Sequence, residues 1–319
     1  MRILLWHVHG SWTTAFVQGA HEYLLPVLPE RGPDGLGRAR TWDWPASVVE
    51  VRPEELRETD VDVVLLQRPH EVDLAERWLG RRPGRDVPAV YVEHNTPLGD
   101  VPDTRHPLAG QREIPIAHVT GFNDLMWDGD GVRTHVIDHG IVDPGHRYTG
   151  ELARAATAVN DPVRRGRSVG TDLLLARPGL TDLGVDVFGM RVDRLPSLPG
   201  LTAFEDLPQD AMHDELARRR VYVHLSRWTS LGLSLLEAMH LGMPVVVLGT
   251  TEAPMAVPAD AGAVLTRREE LLPAVRRLLE DPEAAAAAGA AARRHALERY
   301  GLKRFLRDWD ALLAETVQG

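Results

Sequence analysis

Short apolar, β-branched runs alternate with amphipathic stretches along almost the whole chain, and this alternation narrows the choice of fold more than any other feature. Strands are expected at 3–8, 47–51, 61–67, 87–93, 114–119 and 133–138. Helices are expected between them at 13–25, 53–58 and 71–80. The rhythm repeats further on, with strands at 156–159, 185–188, 221–225, 244–248 and 263–265 and helices at 171–176, 209–219, 233–241 and 268–280. The strand runs are apolar throughout, as in parallel strands buried on both faces. Strands of that kind separated by helices make an α/β protein with parallel sheets and right-handed crossovers. At roughly 150 residues per domain, 319 residues suggest two. The boundary falls in HGIVDPGHRYTGE, 139–151, which is rich in Gly, Pro and polar residues. That gives domains at 1–145 and 146–301. The alanine-rich run before Gly301 reads as a helix, and a last one follows in 302–319, with Phe305, Trp309, Leu312 and Leu313 at helical spacing. No 20–50-residue period recurs, which excludes a solenoid or propeller.

Thirty-six basic and 46 acidic residues give a net charge of −10. That balance argues against general nucleic-acid binding and against docking on anionic lipid, and leaves room for a local phosphate pocket. Cysteine is absent, which excludes disulfides, zinc–thiolate sites and a thiol nucleophile. The apolar run before His7 is too short for a signal peptide, and no stretch reaches the ~18 apolar residues of a membrane span. A cytoplasmic protein without stable membrane insertion is expected, as monomer or homodimer. Lys303 is its only lysine, a bias of GC-rich genomes such as those of actinobacteria.

The most informative segment is SRWTSLGLSLLEAMHLGMPVVVLGTTEAP, 226–254. It reads as a strand end, a Ser/Thr/Gly turn, a helix, a glycine stop and another strand. Ser230 is a candidate N-cap and Gly242 a candidate C′ residue. The backbone N–H groups near Gly232 and Leu233 would form an anion site at the helix N-terminus, with Gly232 allowing close approach of a phosphate. Glu237, one turn on, suits the two vicinal hydroxyls of a ribose. Ligands of open α/β sheets bind beyond the strand carboxyl ends. An ordinary αβ unit with a solvated Glu would carry the same residues.

SLGLSLLEAMHLGMPVV resembles the nucleotide-sugar signature of retaining family 4 glycosyltransferases of the GT-B fold. Gly232, Leu233, Leu236, Glu237, Ala238, Met239, Gly242, Pro244, Val245 and Val246 match it. The resemblance implies two Rossmann-like domains with parallel sheets facing a central cleft, and a C-terminal helix, 302–319, crossing back to the first domain. It implies a diphosphate held by the amides of 230–233 and a ribose held by Glu237. The first Glu of the family's E-x7-E pair is Thr229 here, at the donor sugar. In the family, cations after the first strand of the second domain meet the diphosphate. Here NDPVRRGRSVGTDLL offers Arg164, Arg165 and Arg167, of which Arg165 and Arg167 are assigned to the leaving group because Arg forks bind phosphate bidentately.

In the first half, Gly10–Ser11 resembles the family's loop beneath the donor sugar, with Trp12 a candidate to stack on an acceptor ring and Asn95 a second acceptor contact. His94, at the end of the 87–93 strand, matches the histidine that reaches the transferred sugar and is assigned as catalytic. His139 reads as structural. His7 and His9 share a strand face, but no third ligand accompanies them, so no metal site is assigned. Asp128-Gly129-Asp130 spells a metal–diphosphate DxD motif in a helix-end turn, where that motif does not belong. There is no GxSxG elbow or GxxxxGK[ST] loop. Glu205 and Asp206 lean the base toward guanine.

The expected activity is transfer of a sugar from a GDP- or UDP-sugar to a small-molecule acceptor of secondary metabolism, with retention and with no metal or other cofactor. The alternatives are a GT-B sugar-nucleotide epimerase or hydrolase, and a sugar-nucleotide-binding protein without catalysis.

Overall fold

The computed structural model describes Met1–Gly319 as two units, Met1–Val142 with Leu302–Gly319 and Asp143–Gly301. The first is built on seven strands: β1 (Arg2–Leu5), β2 (Glu22–Pro26), β3 (Val48–Val51), β4 (Val63–Leu66), β5 (Ala89–Glu93), β6 (Ile116–His118) and β7 (Thr134–Val136). They pair in parallel, in the order β3-β2-β1-β4-β5-β6-β7. Its helices are α1 (Gly10–Phe16), α2 (Glu71–Leu79) and α3 (Gly121–Met126). The last helix of the chain, Leu302–Gln318, also belongs to this unit and buries Phe305, Trp309, Leu312 and Leu313.

One expected element is replaced. The 13–25 helix ends at Phe16, and Glu22–Pro26 is β2. Tyr23, Leu24 and Leu25 are buried between β1 and β3, and the Tyr23 hydroxyl donates to the Phe16 carbonyl at 2.9 Å. A short, wholly apolar run has no period to distinguish strand from helix.

The second unit holds β8 (Leu152–Ala158), β9 (Val185–Gly189), β10 (Leu201–Glu205), β11 (Arg219–His224), β12 (Val245–Leu248) and β13 (Gly262–Leu265). These too are all parallel, in the order β10-β9-β8-β11-β12-β13. β10 was not expected. It is an edge strand with Thr202 and Ala203 exposed, so it lacks the apolar run of a central strand. The helices are α4 (Pro162–Arg165), α5 (Thr171–Leu174), α6 (Leu180–Leu183), α7 (Gln209–Arg218), α8 (Leu233–Leu241), α9 (Ala253–Ala256), α10 (Leu271–Glu280) and α11 (Pro282–Arg299), leaving α12 for Leu302–Gln318.

α8 is apolar around most of its circumference and buries Leu235 through Leu241, as a helix enclosed on all sides must. It ends at Gly242, whose φ of +90° is left-handed. α11 lies against that end: a Cβ on Gly289 would sit 2.0 Å from the Gly242 carbonyl oxygen, so only glycine permits this approach. No helix is long and apolar enough to cross a membrane.

Candidate functional site

In both units the strand order reverses beside the first strand, between β1 and β4 and between β8 and β11. Crevices at the carboxyl ends of such strands are where open α/β sheets bind ligands. Both places carry polar groups.

In the second unit, β11 ends in His224 and the chain loops through Ser226–Ser230 into α8. Gly232 is the N-cap and no side chain caps the helix, which leaves its first N–H groups for another partner. A Cβ on Gly232 would lie 2.4 Å from the His224 ring. Glycine is therefore needed here to seat an imidazole, whether or not a phosphate approaches. Ser234 pins the first turn: it accepts from the Tyr222 hydroxyl at 2.9 Å and donates to the Ala158 carbonyl at 3.3 Å, tying α8 to both strands.

The three arginines after β8 have different surroundings. Arg164 donates to Asp161 at 2.5 Å, and Arg191 shares that carboxylate at 2.8 Å. Arg167 is exposed and pairs with Asp172 at 2.8 Å, where Arg227 also binds at 2.6 and 3.0 Å. Arg165 is half-buried and makes no ion pair; burial, then the charge of Arg164, lowers its pKa. It lies in electrostatic reach of His224, whose imidazole is pushed down to about 4 by burial and next by that charge. Arg165, His224 and the uncapped α8 N-terminus thus gather on one side of β8 and β11, with Thr229, Ser230 and Leu233 on the loop and the first turn. Arg167 does not join them. Glu237, one turn into α8, is 5% exposed and meets Gln209 at 3.3 Å and His213 at 3.5 Å.

The carboxylate of Glu205 accepts the backbone N–H groups of Arg191, Val192 and Asp193 at 2.7, 2.8 and 3.2 Å. It caps a turn, which corrects its reading as a guanine contact.

In the first unit, β4 runs into Gln67, which is buried and donates from Nε2 to the Trp6 carbonyl at 2.7 Å. Its Oε1 meets His94 Nε2 at 3.0 Å. The ring of His9 lies 4.1 Å from that of His94, and His139 is close enough to act on it electrostatically. Burial above all, then these two neighbours, holds His94 well below the ordinary imidazole value. His9 is pushed down to about 4 and His139 to about 3, again by burial first. All three are neutral at neutral pH. His7 turns elsewhere, to the Gly37 carbonyl at 3.2 Å and the Trp44 ring, so the shared strand face expected for His7 and His9 does not exist; β1 stops at Leu5.

Gly10 and Ser11 open α1 directly after His9. Trp12 is fully buried, its ring covered by Phe16, His94, Phe305 and Trp309. A ring so covered offers no face to an acceptor, and this corrects its assignment: it is a core residue. Asn95 is exposed, with its N–H on Glu93 Oε1 at 2.7 Å and its carbonyl accepting from Trp127 Nε1 at 2.8 Å. Asp128-Gly129-Asp130 lies in the turn after α3, and Asp130 pairs with Arg105. No three His, Asp or Glu side chains are grouped as metal ligands. Sequence reasoning passed over Gln67 and His224, and weighed His9 only as a metal ligand. The available signal was a polar residue closing, or following closely on, an apolar strand run.

Residues 201–295 match the family described as glycosyl transferases group 1. That stretch runs from β10 into α11 and includes α8. Over the whole chain the structure is similar to sucrose-phosphate synthase from Thermosynechococcus elongatus, at 12% identity, TM-score 0.73, and 99% and 98% of the two chains. It is similar to Anabaena HepE in complex with UDP, at 14% identity, TM-score 0.69, and 99% and 100% coverage. A glycosyltransferase from Rickettsia africae matches at 12% identity, TM-score 0.65, and 100% and 99% coverage. No curated protein matches by sequence. The fold is α/β, with two parallel-sheet Rossmann-like domains, as in these GT-B glycosyltransferase structures.

Proposed function

We propose that this protein is a glycosyltransferase that takes a sugar from a nucleoside diphosphate sugar and passes it to a small-molecule acceptor with retention of configuration. The carrying observation is the N-terminus of α8: a helix start without a side-chain cap, beside a half-buried arginine without an ion pair, at the switch point of the second unit. A diphosphate is the ligand whose charge and oxygens match those donors. UDP is favoured over GDP, because Glu205 is spent on three backbone N–H groups and HepE was solved with UDP and with UDP-glucose.

In the reaction we propose, the bond from the anomeric carbon to the diphosphate oxygen breaks. The acceptor oxygen bonds to that carbon from the same face. The departing phosphate oxygen takes the acceptor's proton, so no enzymic nucleophile is needed. Arg165 and the α8 N–H groups hold the charge that develops on the leaving group. Glu237 accepts from the ribose hydroxyls, and His94 of the first unit contacts the sugar. This positive charge comes from the chain itself, so transfer proceeds without a divalent ion and continues in EDTA. A secondary-metabolite acceptor suits the acidic surface.

Thermal-shift titration with UDP, GDP, ADP and dTDP and their sugars tests the donor, since a ligand stabilises by RT ln(1 + [L]/Kd). Stabilisation by UDP alone, and an acceptor glycoside with the donor's anomeric configuration, are the expected results. Free sugar, an isomerised donor, or binding without product would replace this reading by a hydrolase, an epimerase or a binding protein.

A further inference from the structure

The strongest polar arrangement outside the nucleotide site is the chain Trp6–Gln67–His94, and its hydrogen bonds can be read in only one direction. The Trp6 carbonyl has no proton to give. The end of the Gln67 amide 2.7 Å from it is therefore the NH2 group, since a second oxygen there would repel it. The other end of the amide, 3.0 Å from His94 Nε2, is then the carbonyl oxygen, which can only accept. His94 Nε2 must carry the hydrogen. The backbone that carries this side chain is held too: the Gln67 main-chain N–H donates to Glu71 Oε2 at 2.6 Å and its main-chain carbonyl accepts from the Tyr91 hydroxyl at 3.3 Å.

We infer that Gln67 is a positioning residue that fixes His94 as the Nε2–H tautomer, so that Nδ1 is the ring's acceptor. A backbone carbonyl after β1 thus sets the chemistry of a ring after β5 through one side chain after β4. Protonation of Nδ1 would create a cation beside the His9 ring in a buried cluster, and the low pKa of His94 opposes it. An imidazole in this state accepts a hydroxyl proton and donates none from Nδ1. The turnover readout rests on the function proposed above; the tautomer does not.

The test is a long-range proton–nitrogen correlation spectrum of protein labelled with 15N-histidine, at neutral pH. His94 should show a protonated Nε2 and a bare Nδ1. In Gln67→Leu the two tautomers should mix. Its kcat for sugar transfer should fall roughly ten- to a hundredfold, while the Kd for UDP stays within about twofold. A protonated Nδ1 in the unaltered protein overturns the inference, whether or not the variant folds. So does a folded Gln67→Leu with the wild-type tautomer and turnover, or one that loses UDP affinity along with turnover. Failure to bind any nucleoside diphosphate, with the expected tautomer intact, would sink the proposed function and leave the role of Gln67 in place.

Discussion

The two units share a strand order and differ in what they place at its turning point. Beside β1 and β4 stand a carbonyl, an amide and three uncharged imidazoles. Beside β8 and β11 stand a guanidinium without an ion pair and an uncapped helix N-terminus. The sheet fixes where a ligand goes, and the few residues after each strand decide its charge. A neutral polyol suits the first place, and an anion suits the second.

Acid should expose the largest contrast. An unfolded imidazole takes its proton near pH 6.5, whereas folded His9 and His118 wait until about 4 and His139 until about 3. Between those values the unfolded chain binds more protons, so stability present above pH 6.5 is lost as the pH falls toward 4. Each such histidine costs on the order of 2 kcal/mol at pH 5. In the second unit only His224 is pushed as far, to about 4, while burial also lowers His240 and His295. Seven of the eight tryptophans lie in the first unit, with Trp228 the exception, so urea unfolding followed by tryptophan fluorescence reads the first unit. Its midpoint should drop steeply from pH 7 to pH 5, ahead of far-UV changes from the second. Coincident, pH-independent transitions would break the contrast.

Substitution should separate the two sites by kinetics. His94→Ala is expected to lower kcat about a hundredfold, with UDP affinity within twofold of wild type. The opposite split would move His94 to the nucleotide. Arg165→Ala should weaken UDP by about 2 kcal/mol, roughly thirtyfold, by calorimetry. Arg167→Ala is the smallest change, within about twofold, because its exposed ion pair with Asp172 contributes little. Equal losses from the two arginines would return Arg167 to the site.

The periodicity and composition of the chain carried most of the fold. The span of α8 was legible, because its glycines and its apolar run mark both boundaries, but its N-cap is Gly232 and not Ser230. β2 and β10 were not, one for want of a period and the other for want of burial. Local geometry was legible where a residue acts within its own turn, as Gly232 and Leu233 do at the start of α8. The site was misread where a distant partner decides. Phe305 and Trp309, almost three hundred residues on, close over Trp12. Gln67 gains its meaning only from Trp6 and His94, which no spacing rule connects.

α11 has a further consequence. Its buried side is Ala285, Gly289, Ala291, Ala292 and Ala296, inside a run of near-identical methyl groups. Such a run is degenerate as an address: shifted by one turn, it would offer almost the same surface. The missing methyl at Gly289, against the Gly242 carbonyl, removes the degeneracy, because any other residue of the run brought to that point would collide. A single absent atom thus serves as the index mark by which a repetitive helix finds its place on α8.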